Sequence, residues 1–427
     1  MSQITTTDNS NKQINSETDL QNLKKIADVK IKNLKLDDNP NLLVFPRDLN
    51  QYGDKISEQS IISLDGDKIS TGNIMGFVGV NETQLDIRSR FAKDDGRDYF
   101  LHYMLQKVFA INLFDIKHTS NQEQIFEFLL YLFPYFLKKA LAQGLFKKYQ
   151  RFEHNDANLR GVIDVSRHIR QNIPFCGTVA YNTRQHSYDN HLTQLVRHTI
   201  EYIKTKPAGS CILNNDQETK SGVSQIIAAT QSYNVFERQR IISQNLRLVR
   251  HPYFWEYTAL QSLCLKVLRH ENLKFGQEKD QVYGILFDGA WLWEEYLNTV
   301  LKPLGFKHPE NKTGKGRKHL FTDNSGYCYP DFYNEDEKIV LDAKYKWYLE
   351  WKNVQTADLY QVITYMHILD YNVGGFIVPL EGATLKPKTL NGVGGTIHII
   401  GVNVKHDCEN FYTYAQKMTA EEKCLFE

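Results

Sequence analysis

The six cysteines of this 427-residue chain never form a CxxC pair. Cys176, Cys211, Cys264, Cys328, Cys408 and Cys424 stand too far apart for zinc spacing or a dense disulfide framework. Reduced thiols in a cytoplasmic protein are the simplest reading. No GxxxxGK[ST] loop occurs, which argues against nucleotide hydrolysis through a P-loop in this chain. The opening "MSQITTTDNSNKQINSETDLQNL" has no apolar core segment and is no signal peptide. The most apolar run, "IFEFLLYLFPYFL" at 125–137, is too short to span a bilayer and holds Glu127 and Pro134. It reads as a buried helix, and no membrane is expected. Charge of one sign is also missing: 51 basic residues balance 50 acidic ones, for a net +1. Any argument for nucleic acid must therefore be local. There is no internal repeat.

The length implies two or three domains. Apolar content of 41% with 24 Tyr and 23 Phe is enough for substantial cores. Residues 1–20 are rich in Ser, Thr, Asn and Gln and read as a disordered tail. Residues 21–275 read as a β-rich and then helical region. The runs "NLLVFPRDL", "SIISLDGDKIS", "GNIMGFVGV" and "TQLDIRSRF" are short strands punctuated by Gly, Asp and Asn. Leu85, Ile87 and Ser89 alternate with Asp86, Arg88 and Arg90, so one face is buried and one wet. Helical periodicity follows from 97 to about 149. "YDNHLTQLVRHTIEYIKT" at 188–205 is an amphipathic helix whose Asp-Asn start suits an N-cap. Residues 206–222 read as a loop, and helices resume to about Leu273. His154, His168, His186, His191 and His198 form no metal-ligand pattern.

A second domain is expected over 276–427. It reads as helix (288–302), basic loop (302–319), strand (320–333), turn, strand (338–347), helix (356–370), two strands (375–380 and 396–404) and a helical tail. The whole is thus an α+β or α/β multidomain chain.

The stretch "YPDFYNEDEKIVLDAKYKWY" at 329–348 carries the chemistry. Along its second strand Val340, Asp342, Lys344 and Lys346 share one face, so Asp342 and Lys344 project side by side. A turn centred between Asp336 and Glu337 sets Asp331 directly across from Asp342. Two carboxylates that close call for a cation between them. Mg²⁺ commonly takes one or two carboxylates plus a substrate phosphate, and the Ala343 carbonyl is a further candidate ligand. Lys344 would point at the same place, to orient a water or offset phosphate charge. On these two fragments alone, solvated charges on a hairpin are the commoner outcome.

Three features add weight. Gln361 and Tyr365 are i,i+4 neighbours on the 356–370 helix. Glu294 and Glu295 lie on the apolar helix "FDGAWLWEEYLNTVL", and one of them is a candidate third carboxylate. The loop 302–319 carries Lys302, Lys307, Lys312, Lys315, Arg317 and Lys318 against the single acid Glu310, which suits phosphate contacts as well as plain solvation.

Together, Pro330-Asp331, Asp342-Ala343-Lys344 and Gln361-x-x-x-Tyr365 resemble the PD-(D/E)xK nuclease superfamily in its QxxxY variant. "LWEEYL" resembles that family's helix start, with Glu294 the better match and Glu295 the reserve. "GFVGVNETQLDIRSRF", the Leu-Arg-Gly at 159–161 and the "YDNHLTQL" helix further resemble the McrC family, nuclease subunits of McrBC modification-dependent restriction systems. The resemblance implies a restriction-endonuclease-like domain after a partner-binding region. It also implies Mg²⁺ (with Mn²⁺ as substitute) at Asp331, Asp342, Glu294 and Ala343, and catalytic support from Lys344, Gln361 and Tyr365. The implied partners are modified double-stranded DNA, for which the basic loop offers Lys312, Lys315, Arg317 and Lys318 as contacts, and a hexameric McrB-like AAA+ GTPase that binds the GTP and whose hydrolysis this chain would stimulate. A RecB-like, end-dependent nuclease and a non-catalytic regulator of the motor are the competing readings.

Overall fold

The computed structural model describes residues 2–31, 42–46, 59–92, 98–109, 121–206, 209–214, 216–269, 282–309, 318–380, 385–392 and 394–425. The chain divides into two compact units, one made of Met1–Asp115 with Phe275–Glu427, the other of Ile116–Lys274. This differs from the expected division at 20 and 275. The physical reason lies in one sheet, whose strand order is Ser2–Thr7, Thr83–Arg88, Ile74–Val80, Val282–Asp288, Leu42–Phe45. The strand Val282–Asp288, which sequence reading missed, inserts between two N-terminal strands. The N-terminal sheet is therefore completed by the chain that leads into the C-terminal half.

Residues 1–20 also depart from the disorder expected of them. Ser2–Thr7 pairs in parallel with Thr83–Arg88, setting Ile4 opposite Leu85. Its partner is some eighty positions away, which a local composition argument cannot see. Asn11–Gln13 joins the hairpin Ile62–Asp65/Lys68–Thr71, and Glu17–Leu23 is a helix capped by Ser16. The four strand runs expected between 41 and 91 are all present, and the alternation at 85–90 holds: Leu85, Ile87 and Ser89 are buried. Ile26, Val44, Ile69, Val78, Leu85 and Leu286 form the core beneath these sheets.

The second large sheet of this unit runs Phe332–Asn334, Ile339–Ala343, Val373–Leu380, Thr396–Asn403, Leu385–Thr389. Its three middle strands are parallel and both edges antiparallel. Val373–Leu380 is buried along almost its whole length, as expected for a central parallel strand covered on both faces. The helix Thr356–Leu369 is the crossover between parallel strands and packs Val362, Tyr365 and Met366 against Val340, Phe376 and Ile399. It lies so close that a Cβ at Gly374 would stand 2.5 Å from Met366 Sδ. The helix Gly289–Leu301 reaches the sheet differently, with buried Trp293 donating Nε1–H to the Ile377 carbonyl at 3.3 Å. The expected strand at 320–333 is broken into Lys318–His319, Tyr327–Cys328 and Phe332–Asn334, because left-handed Asn324 and Gly326 turn the chain between the first two.

In the other unit, Asn121–Ala142 is a helix, and its described side chains Leu132, Phe133, Leu137 and Ala140 are fully buried. Asn190 caps His191–Lys204 by accepting from Leu192 and Thr193 N–H, within a capping box. Lys148–Asp156 and Val179–Ser187 form a nine-residue antiparallel ladder, with Val162–Ile163 on its free side. The expected loop 206–222 instead holds the helix Gly209–Leu213 and the start of Gln217–Ala229. Within the second of these, Gly222 lies close against the long helix, where an added Cβ would stand 2.7 Å from Leu141 Cδ1. All six cysteines are free thiols. Among the described residues, no helix is long and apolar enough to cross a membrane.

Candidate active site

The register of the 329–348 stretch is the one its pattern predicts. Phe332 pairs with Leu341, Tyr333 with Val340 and Asn334 with Ile339, so one step further Asp331 lies across from Asp342. Asn334 sets the turn, its Oδ1 accepting from the Asp336 and Glu337 N–H groups. The hairpin is not a solvated one. Phe332, Tyr333 and Asn334 are buried, and Asp342 is only 1% exposed.

Asp331 accepts from the Ala343 N–H at 2.8 Å, which fixes its carboxylate toward the second strand. Asp342 Oδ2 is 2.6 Å from the Lys344 ammonium, and Asp342 Oδ1 is buried and accepts no hydrogen bond. Lys344 Nζ also donates to Gln361 Oε1 at 3.2 Å, and Gln361 Nε2 donates to the Tyr365 hydroxyl at 2.6 Å. The i,i+4 pair on the crossover helix thus faces the hairpin.

The electrostatics follow from burial. Burial and the neighbouring Glu294 charge push Asp331 up to about 7. Burial and Asp331 push Asp342 well above the usual carboxylate range, against the pull of Lys344. Burial alone would lower Lys344, but the Asp342 carboxylate holds it above its ordinary value. Burial raises Tyr365, with the Asp331 and Asp342 charges adding to it. Glu294 rather than Glu295 faces Asp331: its charge acts on that carboxylate, and Glu294 Oε1 is 3.6 Å from His308 Nε2.

Two residues of the site escaped sequence reading. His308 donates from Nδ1 to the Asp331 carbonyl at 2.7 Å and stacks on Phe332 with centroids 4.8 Å apart. It bridges Asp331 to Glu294, and no motif marks it. Asp358 accepts from Lys346 Nζ at 2.8 Å and from the Tyr348 hydroxyl, with Oδ1 3.7 Å from Lys344 Nζ. Its one available signal was its place three residues before Gln361, on the same helix face.

Of the four residues expected to contact phosphate, Lys318 alone is among the described residues. Lys312, Lys315 and Arg317 lie outside the described residues. Lys318 lies over the Tyr333 ring at 4.8 Å, and Lys307 is engaged by Glu335. The Leu-Arg-Gly at 159–161 has a structural basis in Gly161, whose added Cβ would meet the Asn182 carbonyl at 2.1 Å; Arg160 is exposed.

Among the described residues, no three His, Cys, Asp or Glu side chains form a ready-made metal cage. The donors still fit a hard divalent cation of the Mg²⁺ kind. It needs only one or two carboxylates beside water and substrate oxygens. Asp342 Oδ1, buried and without a hydrogen bond, is a polar atom that such an ion would satisfy.

Comparison with known proteins identifies the family. Residues 69–379, nearly three-quarters of the chain, match the family described as McrBC 5-methylcytosine restriction system component. No curated protein matches. Among solved structures, a half-complex of Thermococcus gammatolerans McrB AAA+ hexamers with bound McrC shares 18% identity. The match covers 98% of this chain and all of that one, with a TM-score of 0.45. The Thermococcus gammatolerans McrBC complex shares 17% identity over 70% of this chain and 87% of that one, with a TM-score of 0.32. The family match takes in the strands Ile74–Val80 and Thr83–Arg88, the site hairpin and the crossover helix. This chain belongs to the McrBC 5-methylcytosine restriction system component family.

Proposed function

We propose that this chain is the DNA-cleaving subunit of a McrBC-type restriction system, with a Mg²⁺-dependent PD-(D/E)xK centre in its second large sheet. The observation that carries the reading is the opposition of Asp331 and Asp342 across the hairpin, with Lys344 2.6 Å from Asp342 and Asp342 Oδ1 buried without a hydrogen bond. No solvated hairpin needs that arrangement, and ionised carboxylates are costly to bury unless a cation compensates them.

Asp331 and Asp342 would hold the ion, with Glu294 and the Ala343 carbonyl as further donors and Mn²⁺ as a substitute. Bound there, it would polarise a phosphodiester oxygen and lower the pKa of a coordinated water. The remaining work falls to the chain's own groups. Lys344 presents its ammonium to the reacting phosphate and the attacking water. Gln361, oriented by Tyr365, sits 3.2 Å from that ammonium and fixes its direction. His308 steadies Asp331 through its carbonyl. Lys312, Lys315, Arg317 and Lys318 carry the charge that would follow the DNA backbone.

Family membership, and a sequence without a P-loop, support reliance on a separate AAA+ GTPase of the McrB kind. The exposed apolar side chains at the end of the long ladder, Val162, Val165, Ile169, Ile173 and Phe175, suit a partner-facing surface. The test is cleavage of covalently closed circular DNA carrying 5-methylcytosine, with GTP, Mg²⁺ and the partner from the neighbouring gene. Linearisation supports the reading. Cleavage confined to linear DNA would make the chain an end-dependent nuclease instead.

A further inference from the structure

Asp358 belongs to no part of the motif that points to the site, yet it is built into it. It is nearly buried, in the first turn of the crossover helix. Its Oδ2 is held by Lys346 at 2.8 Å and by the Tyr348 hydroxyl, and Lys346 is itself fixed by Gln355 Oε1 at 3.1 Å. These contacts leave Oδ1 facing Lys344 Nζ at 3.7 Å, too long for a hydrogen bond but within ion-pair reach.

Lys344 therefore has three acceptors around its ammonium: Asp342 at 2.6 Å, Gln361 at 3.2 Å and Asp358 at 3.7 Å. With a divalent cation on Asp342 Oδ1, the ammonium held 2.6 Å from Oδ2 of the same carboxylate would face a second positive charge at close range and be repelled. Gln361 is neutral and offers no charge in exchange. Asp358 is anionic, and a displacement on the order of 1 Å brings Lys344 to hydrogen-bond length from it.

We propose that Asp358 is a positioning residue that receives the Lys344 ammonium as Asp342 takes up a divalent cation. Lys344 is then a stand-in cation in the metal-free protein and an oriented ammonium in the loaded one. Asp358 sets the balance between the two states without touching metal or DNA. The inference rests on the metal-site reading above.

The test is calorimetric titration of the full chain with Mn²⁺, without DNA, for wild type, Asp358→Asn, Lys344→Met, the double variant and Asp342→Ala. Asp358→Asn leaves Lys344 on Asp342 and is expected to weaken Mn²⁺ binding about tenfold. Lys344→Met removes the competitor and tightens binding. In the Lys344→Met background, Asp358→Asn should then change affinity by less than about twofold, since there is no lysine left to relocate. An equal loss in both backgrounds would overturn the proposal, because Asp358 would then act on the ion directly. So would no loss in either. If wild type and Asp342→Ala both fail to bind, the metal-site reading itself falls. Should Asp358→Asn not fold, a Ca²⁺-soaked crystal of the wild type decides. Lys344 closer to Asp358 than to Asp342 supports the proposal, and an unmoved Lys344 contradicts it.

Discussion

Replacing Asp331 by Asn removes a carboxylate that the fold keeps protonated up to about pH 7. Its unfolded value is 3.8, so between 3.8 and 7 the folded chain binds more protons than the unfolded one, and this group makes stability fall as pH rises. At about 1.4 kcal/mol per pH unit, the cost is small at pH 4 and grows to on the order of a few kcal/mol by pH 8. Asn carries no such cost. Metal-free Asp331→Asn should therefore melt close to wild type near pH 4 and several degrees above it at pH 8. Adding Mg²⁺ at pH 8 should raise the wild-type midpoint by linkage and leave the variant's unchanged. Scanning fluorimetry of both proteins, with and without Mg²⁺, gives all four comparisons. A pH-independent difference, or equal stabilisation of the two by Mg²⁺, would refute the reasoning.

Three further outcomes are expected. His308→Ala should lower Mn²⁺ affinity about tenfold, as loss of an outer-sphere partner commonly does, and His308→Gln, which can still donate to the Asp331 carbonyl, should recover part of it in the same titration. Gly374→Ala should destabilise its unit by about 1–3 kcal/mol in a urea melt, since the new methyl meets Met366 Sδ at 2.5 Å and Val362 Cγ1 at 2.8 Å. Val162→Asp with Ile169→Asp should leave the melting midpoint nearly unchanged and abolish stimulation of the partner's GTP hydrolysis, because both side chains are exposed.

The most chemically informative part of the fold was also the most legible. A strand fixes side-chain direction with period two, so once the turn was centred between Asp336 and Glu337 the opposition of Asp331 and Asp342 followed. The helical period likewise places Gln361 and Tyr365 on one face, where Gln361 meets Lys344 and Tyr365 holds Gln361. Burial was not legible: charged residues in a short hairpin read as solvated, whereas tertiary packing around its strand makes Asp342 a buried acid. Long-range pairing was invisible too. Ser2–Thr7 is polar by composition and becomes a strand through Thr83–Arg88, and Val282–Asp288 gains its role from strands some two hundred residues earlier. His308 and Asp358 reach the site through tertiary contacts, so their neighbours in sequence gave little sign of them.

Separation of cutting from motor control tests the central claim most directly. Wild type, Asp342→Asn and Lys344→Met would each be combined with the AAA+ partner, GTP, Mg²⁺ and methylated closed circular DNA, with cleavage and GTP hydrolysis read from one reaction. The account predicts that both variants lose cleavage while stimulating GTP hydrolysis as the wild type does. Cleavage by Asp342→Asn at the wild-type rate would contradict it and leave the buried carboxylates without a catalytic role.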